Sequence, residues 1–141
     1  MKKLILLFVL SFIFLASFGQ AQKTAAKNQY LFIVRFKTDF VPSSDTAVKV
    51  NIKHWQAYMG ALAQAGNIAG GYRPTGDGET INGEQKTVKN GPYVANGELV
   101  SSVLIINADS MDDAKAIAAK CPVFELGGSI EIRPMMNIAG K

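Results

Sequence analysis

The chain has 141 residues, of which 48% are hydrophobic and 18% charged, which is enough for one domain with its own core and too few for two. Fifteen Lys and Arg against eleven Asp and Glu give a formal charge of +4, but Lys2 and Lys3 lie in the N-terminal segment and the remainder is close to neutral, so the charge is no argument for a nucleic-acid-binding face. A single Cys excludes an internal disulfide framework and a Cys-cluster metal site, and a single His excludes multi-His zinc sites.

Met1-Lys2-Lys3 is a short basic segment, followed by an apolar run from Leu4 to Phe18 broken only by Ser11 and Ser17. Gly19-Gln20-Ala21 places small residues where an export peptidase cuts. The run is shorter than the roughly 20 residues a spanning helix needs. The expectation is a signal peptide over residues 1–21, cleaved after Ala21, and a periplasmic or secreted mature protein with no membrane association; a retained anchor is the alternative. No Cys follows the run for lipid attachment. Residues 22–29 are small and polar and read as a flexible tail, and residues 137–141 as a C-terminal tail.

Tyr30–Lys37 reads as a strand, with Tyr30, Phe32, Val34 and Phe36 on one face and Leu31, Ile33, Arg35 and Lys37 on the other. Thr46–Ala65 reads as a helix with Asp45 as N-cap, Gly66 just past its end, and one apolar stripe of Val48, Ile52, Trp55, Met59 and Leu62. Asn67–Tyr72 reads as a strand in which Gly70-Gly71 marks a bulge or a close approach to the backbone. A hairpin follows, from Glu79 to Val88, with its type I′ turn at Asn82-Gly83. Asn90-Gly91-Pro92-Tyr93 is a sharp turn.

Glu98–Asn107 is a strong strand, with Val100, Leu104 and Ile106 on one face and Leu99, Val103 and Ile105 on the other. Ser110-x-x-Asp113 has capping-box spacing and opens a helix to about Lys120, burying Ala114, Ile117, Ala118 and Cys121, with Pro122 as terminator. Ser129–Arg133 is the last strand. The order β-α-β, hairpin, β-α-β is the split βαβ pattern: an α+β, ferredoxin-like antiparallel sheet with both helices on one face. The first and Glu98–Asn107 strands are apolar on both sides, so a second copy packed face to face is expected, with a ligand cavity near the strand ends.

Lys86-Thr87-Val88-Lys89-Asn90-Gly91-Pro92-Tyr93 resembles the V-x-D-G-P-F signature of the YCII-related domain. Cys121-Pro122 followed by Gly127-Gly128-Ser129-Ile130-Glu131-Ile132-Arg133-Pro134 is similar to that family's C-P … G-G-x-V-E-V-R-P ending, and Trp55 with Gln64–Ile68 and Gly70-Gly71 resembles the helix-to-strand segment of its DGPF-type branch. The resemblance spans residues 30–136 and implies a homodimeric α+β barrel. Here the signature Asp is Asn90 and the Phe is Tyr93. If that Asp moves protons in the family, this chain has lost the carboxylate, since an amide orients but does not titrate near neutrality. Some relatives pair a His of the first helix with an Asp; that His aligns with Trp55, not His54, and is not carried over. The segment after the signature, Val94–Glu98, also departs from the usual acidic-and-Lys stretch.

The candidate catalytic residues are His54, Tyr93 and Glu98, and the candidate ligand-binding residues are Arg35, Trp55, Asn90 and Tyr93. Each has a plainer reading. His54 is a helix-flank side chain or a base at the cavity rim; Trp55 is a packing anchor or a stacking wall. Asn90–Tyr93 is a rigid turn or a donor pair at the cavity mouth. Arg35, mid-strand on an apolar face, needs a partner, either a carboxylate or an anionic ligand; Arg133 and Glu131 share that ambiguity. Cys121 reads as structural. No metal and no cofactor is expected, and Thr75–Gly78 lacks the oxygen series of a calcium loop. Two functions compete: a non-catalytic small-molecule-binding module, slightly favoured by the lost Asp, and a cofactor-independent lyase or isomerase.

Overall fold

The computed structural model describes residues 27–136. The signal segment over 1–21, residues 22–26 of the expected 22–29 tail and the 137–141 tail lie outside the described residues; Asn28 and Gln29, expected in the tail, instead open the first strand, where they pair with Ala108 and Asn107. Seven strands, two α-helices and one 3-10 turn follow in the order β1 (Asn28–Lys37), α1 (Asp45–Gln64), β2 (Ile68–Tyr72), β3 (Glu79–Asn82), β4 (Thr87–Asn90), β5 (Val94–Ala95), β6 (Glu98–Ala108), α2 (Met111–Ala118), the turn Pro122–Leu126, and β7 (Ser129–Pro134). The sheet order is β2-β6-β1-β7, all antiparallel, with the short β5 added beside β6; β3 and β4 form a separate arm. This is the α+β, ferredoxin-like arrangement. No helix of the described residues is long and apolar enough to cross a membrane.

Period-two alternation places Tyr30, Phe32 and Val34 of β1 on the helix side, where they form the core with Leu104 and Ile106 of β6, Tyr58 and Leu62 of α1, and Ala114, Ile117 and Ala118 of α2. Phe32, Val34, Ile106 and Val123 are fully enclosed. Leu31, Ile33, Val103 and Ile105 share the opposite face and are half-buried. The expected faces of β6 hold only for its C-terminal half. Between Val34 and Arg35 the register slips by one residue, so Val34 pairs with Ser102 but Arg35 with Val100, leaving Ser101 as a bulge. A one-residue bulge exchanges faces: Leu99, opposite Phe36, joins the helix side, and Val100, opposite Arg35, the outer one.

α1 is capped by Ser44, not Asp45: the Ser44 hydroxyl accepts from the Ala47 N–H at 3.1 Å. Asp45 sits instead in the first turn, where its charge suits the helix dipole. Gly66 follows the helix with φ +66°, as a C′ glycine should. The buried line of α1 is Asn51, Tyr58 and Leu62, with Trp55 beside it. At 3.6 residues per turn that line is rotated by roughly 50° from the apolar stripe read in the sequence. Val48, Ile52 and Met59 therefore overhang the core, and Ile52 is half exposed.

The arm pairs Asn82 with Thr87 and Ile81 with Val88, so its loop has four residues, Gly83–Lys86, rather than a two-residue turn at Asn82-Gly83. A two-residue turn would have set Ile81 against Glu84; the observed register sets the arm's two apolar side chains opposite each other. The tight Asn-Gly turn of the fold is elsewhere. Asn96 (φ 53°) and Gly97 (φ 71°) both have positive φ, the type I′ requirement, and join β5 to β6 through the pair Ala95–Glu98.

α2 ends at Ala118, two residues before the expected limit. Ser110 caps it by accepting from Asp113 N–H at 3.1 Å, and Asp113 reaches back to the Asp109 N–H at 3.0 Å. Pro122 stops α2 but also opens the 3-10 turn, since at the first position of a helical turn its missing N–H costs nothing. Gly128 then passes so close to β1 that a Cβ there would lie 2.5 Å from the Arg35 carbonyl oxygen and against the Val123 side chain.

Candidate functional site

The overhang of α1 has a consequence. Between α1 and the β2–β6 side of the sheet lies a cavity of about 940 Å³. Val48, Ile52, Trp55 and Met59 form its helical wall, Phe36 and Phe40 close one end, and Gly70, Gly71 and Leu104 form its floor. The paired glycines let β2 approach: a Cβ on Gly71 would lie 2.9 Å from Leu104 Cδ2. The anticipated irregularity is also present, one residue earlier, where Ala69 is skipped between the pairs Ile68–Ile106 and Gly70–Ile105. The bulge in β6 brings both Ser101 and Ser102 to the cavity, which strict alternation would forbid. Ser101 donates to the Val34 carbonyl at 3.3 Å.

Trp55 is the chain's single tryptophan. It meets Tyr58 edge to face, ring centroids 6.0 Å apart and planes at 83°, which fixes the indole on the wall. The Tyr58 hydroxyl donates to the Ile117 carbonyl at 3.2 Å, and burial holds the phenol protonated well above its ordinary range. The polar groups of the wall are Asn51, Gln56, Arg73 and the two serines, with Tyr72 at the rim. Among the described residues no Asp, Glu, His, Lys or Cys lines this cavity.

The other residues singled out from the sequence lie off the wall. Arg35 is on the outer face of the sheet, Nη2 2.6 Å from Glu131 Oε2, and Arg133 Nε bonds to the other oxygen of the same carboxylate. The two guanidinium groups, Arg35 first, hold the Glu131 carboxyl below its usual range. Asn90 ends β4 beside a shallow recess of about 420 Å³ formed with Gly76–Glu79 and Gly91. Tyr93 is 70% exposed in the segment before β5. Glu98 begins β6 and accepts from Ser129 Oγ at 3.0 Å.

His54 faces away from the cavity, its Nδ1 2.8 Å from Glu125 Oε1. The second oxygen of Glu125 accepts from Asn51 Nδ2 at 2.9 Å, and the same amide donates to the Pro122 carbonyl, also at 2.9 Å. Asn51, the one buried polar or charged residue among the described residues, thus clasps the 3-10 turn to α1. The Asn51 bond and then His54 draw the Glu125 carboxyl below its usual range. Sequence reading missed Asn51 and Glu125. Asn51 had one visible signal, a short amide four residues before Trp55 on a buried face; Glu125 had none, because nothing announced the turn that carries it.

Cys121 is buried, and burial pushes its thiol up to about 11, so the thiolate is not available near neutrality. No group of three or more His, Cys, Asp and Glu side chains suited to a metal ion occurs among the described residues.

A ferredoxin-like α+β domain with an apolar cavity opening between its first helix and its sheet is therefore the class to which the molecule belongs. Comparison with protein families agrees: residues 29–139 match the YCII-related domain, and the chain is a member of that family. No curated protein matches it.

Proposed function

We propose that the protein is an exported, homodimeric module that binds a small molecule in the cavity beside Trp55. The cavity itself carries this reading. Its size falls at the upper end of small-ligand sites, about 300–1,000 Å³, and its wall is mostly apolar with a few polar groups. An apolar helical surface that its own core leaves uncovered is costly in water, about 25 cal/mol per Å², and a bound apolar group relieves that cost. Export rests on the basic and apolar segments of residues 1–18 and the small residues before Gln22. Dimerisation rests on the outer face, where Leu31, Ile33, Val103 and Ile105 form an apolar row beside the Arg35–Glu131–Arg133 cluster.

The wall also bears on the alternative, a cofactor-independent lyase or isomerase, which needs a positioned acid or base within reach of the substrate. The carboxylates and the histidine lie outside the cavity, and the titratable side chains on its wall are Tyr72 and Arg73, which supports binding over catalysis.

Trp55 supplies the assay. Titrating the mature protein (residues 22–141) with 4-phenyl-1-butanol, an uncharged apolar probe, is expected to change tryptophan emission saturably with one site per chain. A linear response up to the solubility limit of the probe refutes the binding role. Light scattering at micromolar concentration is expected to give twice the chain mass, and a monomer refutes the dimer.

A further inference from the structure

The chain has three arginines, and two of them share Glu131 on the outer face. The third, Arg73, lies on the cavity wall directly after β2 and makes no ion pair or side-chain hydrogen bond among the described residues. With no carboxylate on that wall, the cavity holds one net positive charge at the edge of an apolar lining. Ser102, brought there by the bulge, adds a hydroxyl that no protein group engages among the described residues.

Resting on the binding role above, we propose that the ligand is an amphipathic carboxylate: an apolar body against Trp55, Met59 and Phe36, with its anionic head on the guanidinium of Arg73. The chemistry follows from what each part lacks. The aliphatic and aromatic wall offers dispersion and water exclusion but no hydrogen bonds. The guanidinium is a planar fork of donors suited to two oxygens of one carboxylate. A cationic ligand would meet an unopposed like charge, and a neutral one would leave the guanidinium to water alone.

Three isosteres test the proposal: 4-phenylbutyrate, 4-phenyl-1-butanol and 4-phenylbutylamine, each titrated against the mature protein and read by Trp55 emission. Because Arg73 is exposed and water screens its charge, the carboxylate is expected to bind about fivefold tighter than the alcohol and the amine weakest. Raising salt to 1 M is expected to narrow the gap between carboxylate and alcohol. Arg73→Gln is expected to abolish the carboxylate's advantage, whereas Lys53→Gln, an equal loss of charge on α1 away from the cavity, preserves it. Equal affinity for all three probes overturns carboxylate selection while the binding role stands. Persistence of the preference in Arg73→Gln overturns it as well. Absence of a saturable response to any of the three overturns both.

Discussion

Replacing Asn51 with alanine tests the clasp between α1 and the turn before β7. Asn51 is 5% exposed, and its amide donates to the Pro122 carbonyl and to Glu125, each at 2.9 Å. Losing a buried amide–carbonyl bond costs about 1 kcal/mol net, and leaving that carbonyl unpartnered adds about 1–2 kcal/mol. Alanine recovers about 0.5 kcal/mol through its better helix propensity. Glu125 adds little, because its carboxylate is half exposed and water replaces the lost bond. The expected loss is about 2 kcal/mol, which for a domain of this size lowers Tm by about 8 °C. Urea unfolding followed by the single tryptophan and by circular dichroism measures it. Asn51→Asp sharpens the test: at pH 7 it sets a second carboxylate against Glu125 and the Pro122 carbonyl and is expected to be worse than alanine, with the difference shrinking as pH falls. A loss below about 0.5 kcal/mol for alanine, or an aspartate variant as stable as the alanine one at pH 7, would show that the clasp does not hold the two elements together.

The lowered Glu125 carboxyl has a pH consequence. A carboxylate favoured in the fold stabilises it above the group's unfolded value and loses that effect as pH falls through the folded one. The stability difference between wild type and Glu125→Gln is expected to be present near neutrality and to vanish in acid; a pH-independent difference in thermal melts would contradict the hydrogen bonds that Asn51 and His54 make to Glu125. Gly128→Ala drives a methyl group against the Arg35 carbonyl and Val123 and is expected to cost about 3 kcal/mol or more by overpacking; a melt within 2 °C of wild type would show that the backbone gives way. Cys121, buried with its thiol pushed up to about 11, is expected to resist a thiol reagent in the native protein at pH 8 and to react at once in urea. Rapid native labelling would place the sulfur at the surface.

The order of the two helices and of every strand except the two-residue β5, the inward face of β1, the capping of α2 and the membership of the family were legible in the sequence. These depend on local rules: period two, period 3.6, Ser-x-x-Asp spacing, and glycines and prolines that restrict the backbone wherever they stand. Of the features that make the cavity, the close approach at Gly70-Gly71 was legible and the rest were not. The bulge at Ser101, which moves Val100 outward and turns two serines inward, depends on how β1 and β6 pair across more than sixty residues of chain. The rotation of α1 depends on Asn51 finding a carbonyl and a carboxylate in a turn seventy residues away, bonds strong enough to draw a polar side chain inward and leave Val48 and Ile52 over open space. The same holds for charge: Arg133 has Glu131 two residues away on its own strand, but only the pairing of β1 with β7 brings that carboxylate to Arg35 as well, while Arg73, beside the cavity, has no such partner among the described residues. Local propensity is written along the chain, whereas partners are chosen by distance in three dimensions, and it is the choice of partners that separates structural side chains from those left to meet a ligand.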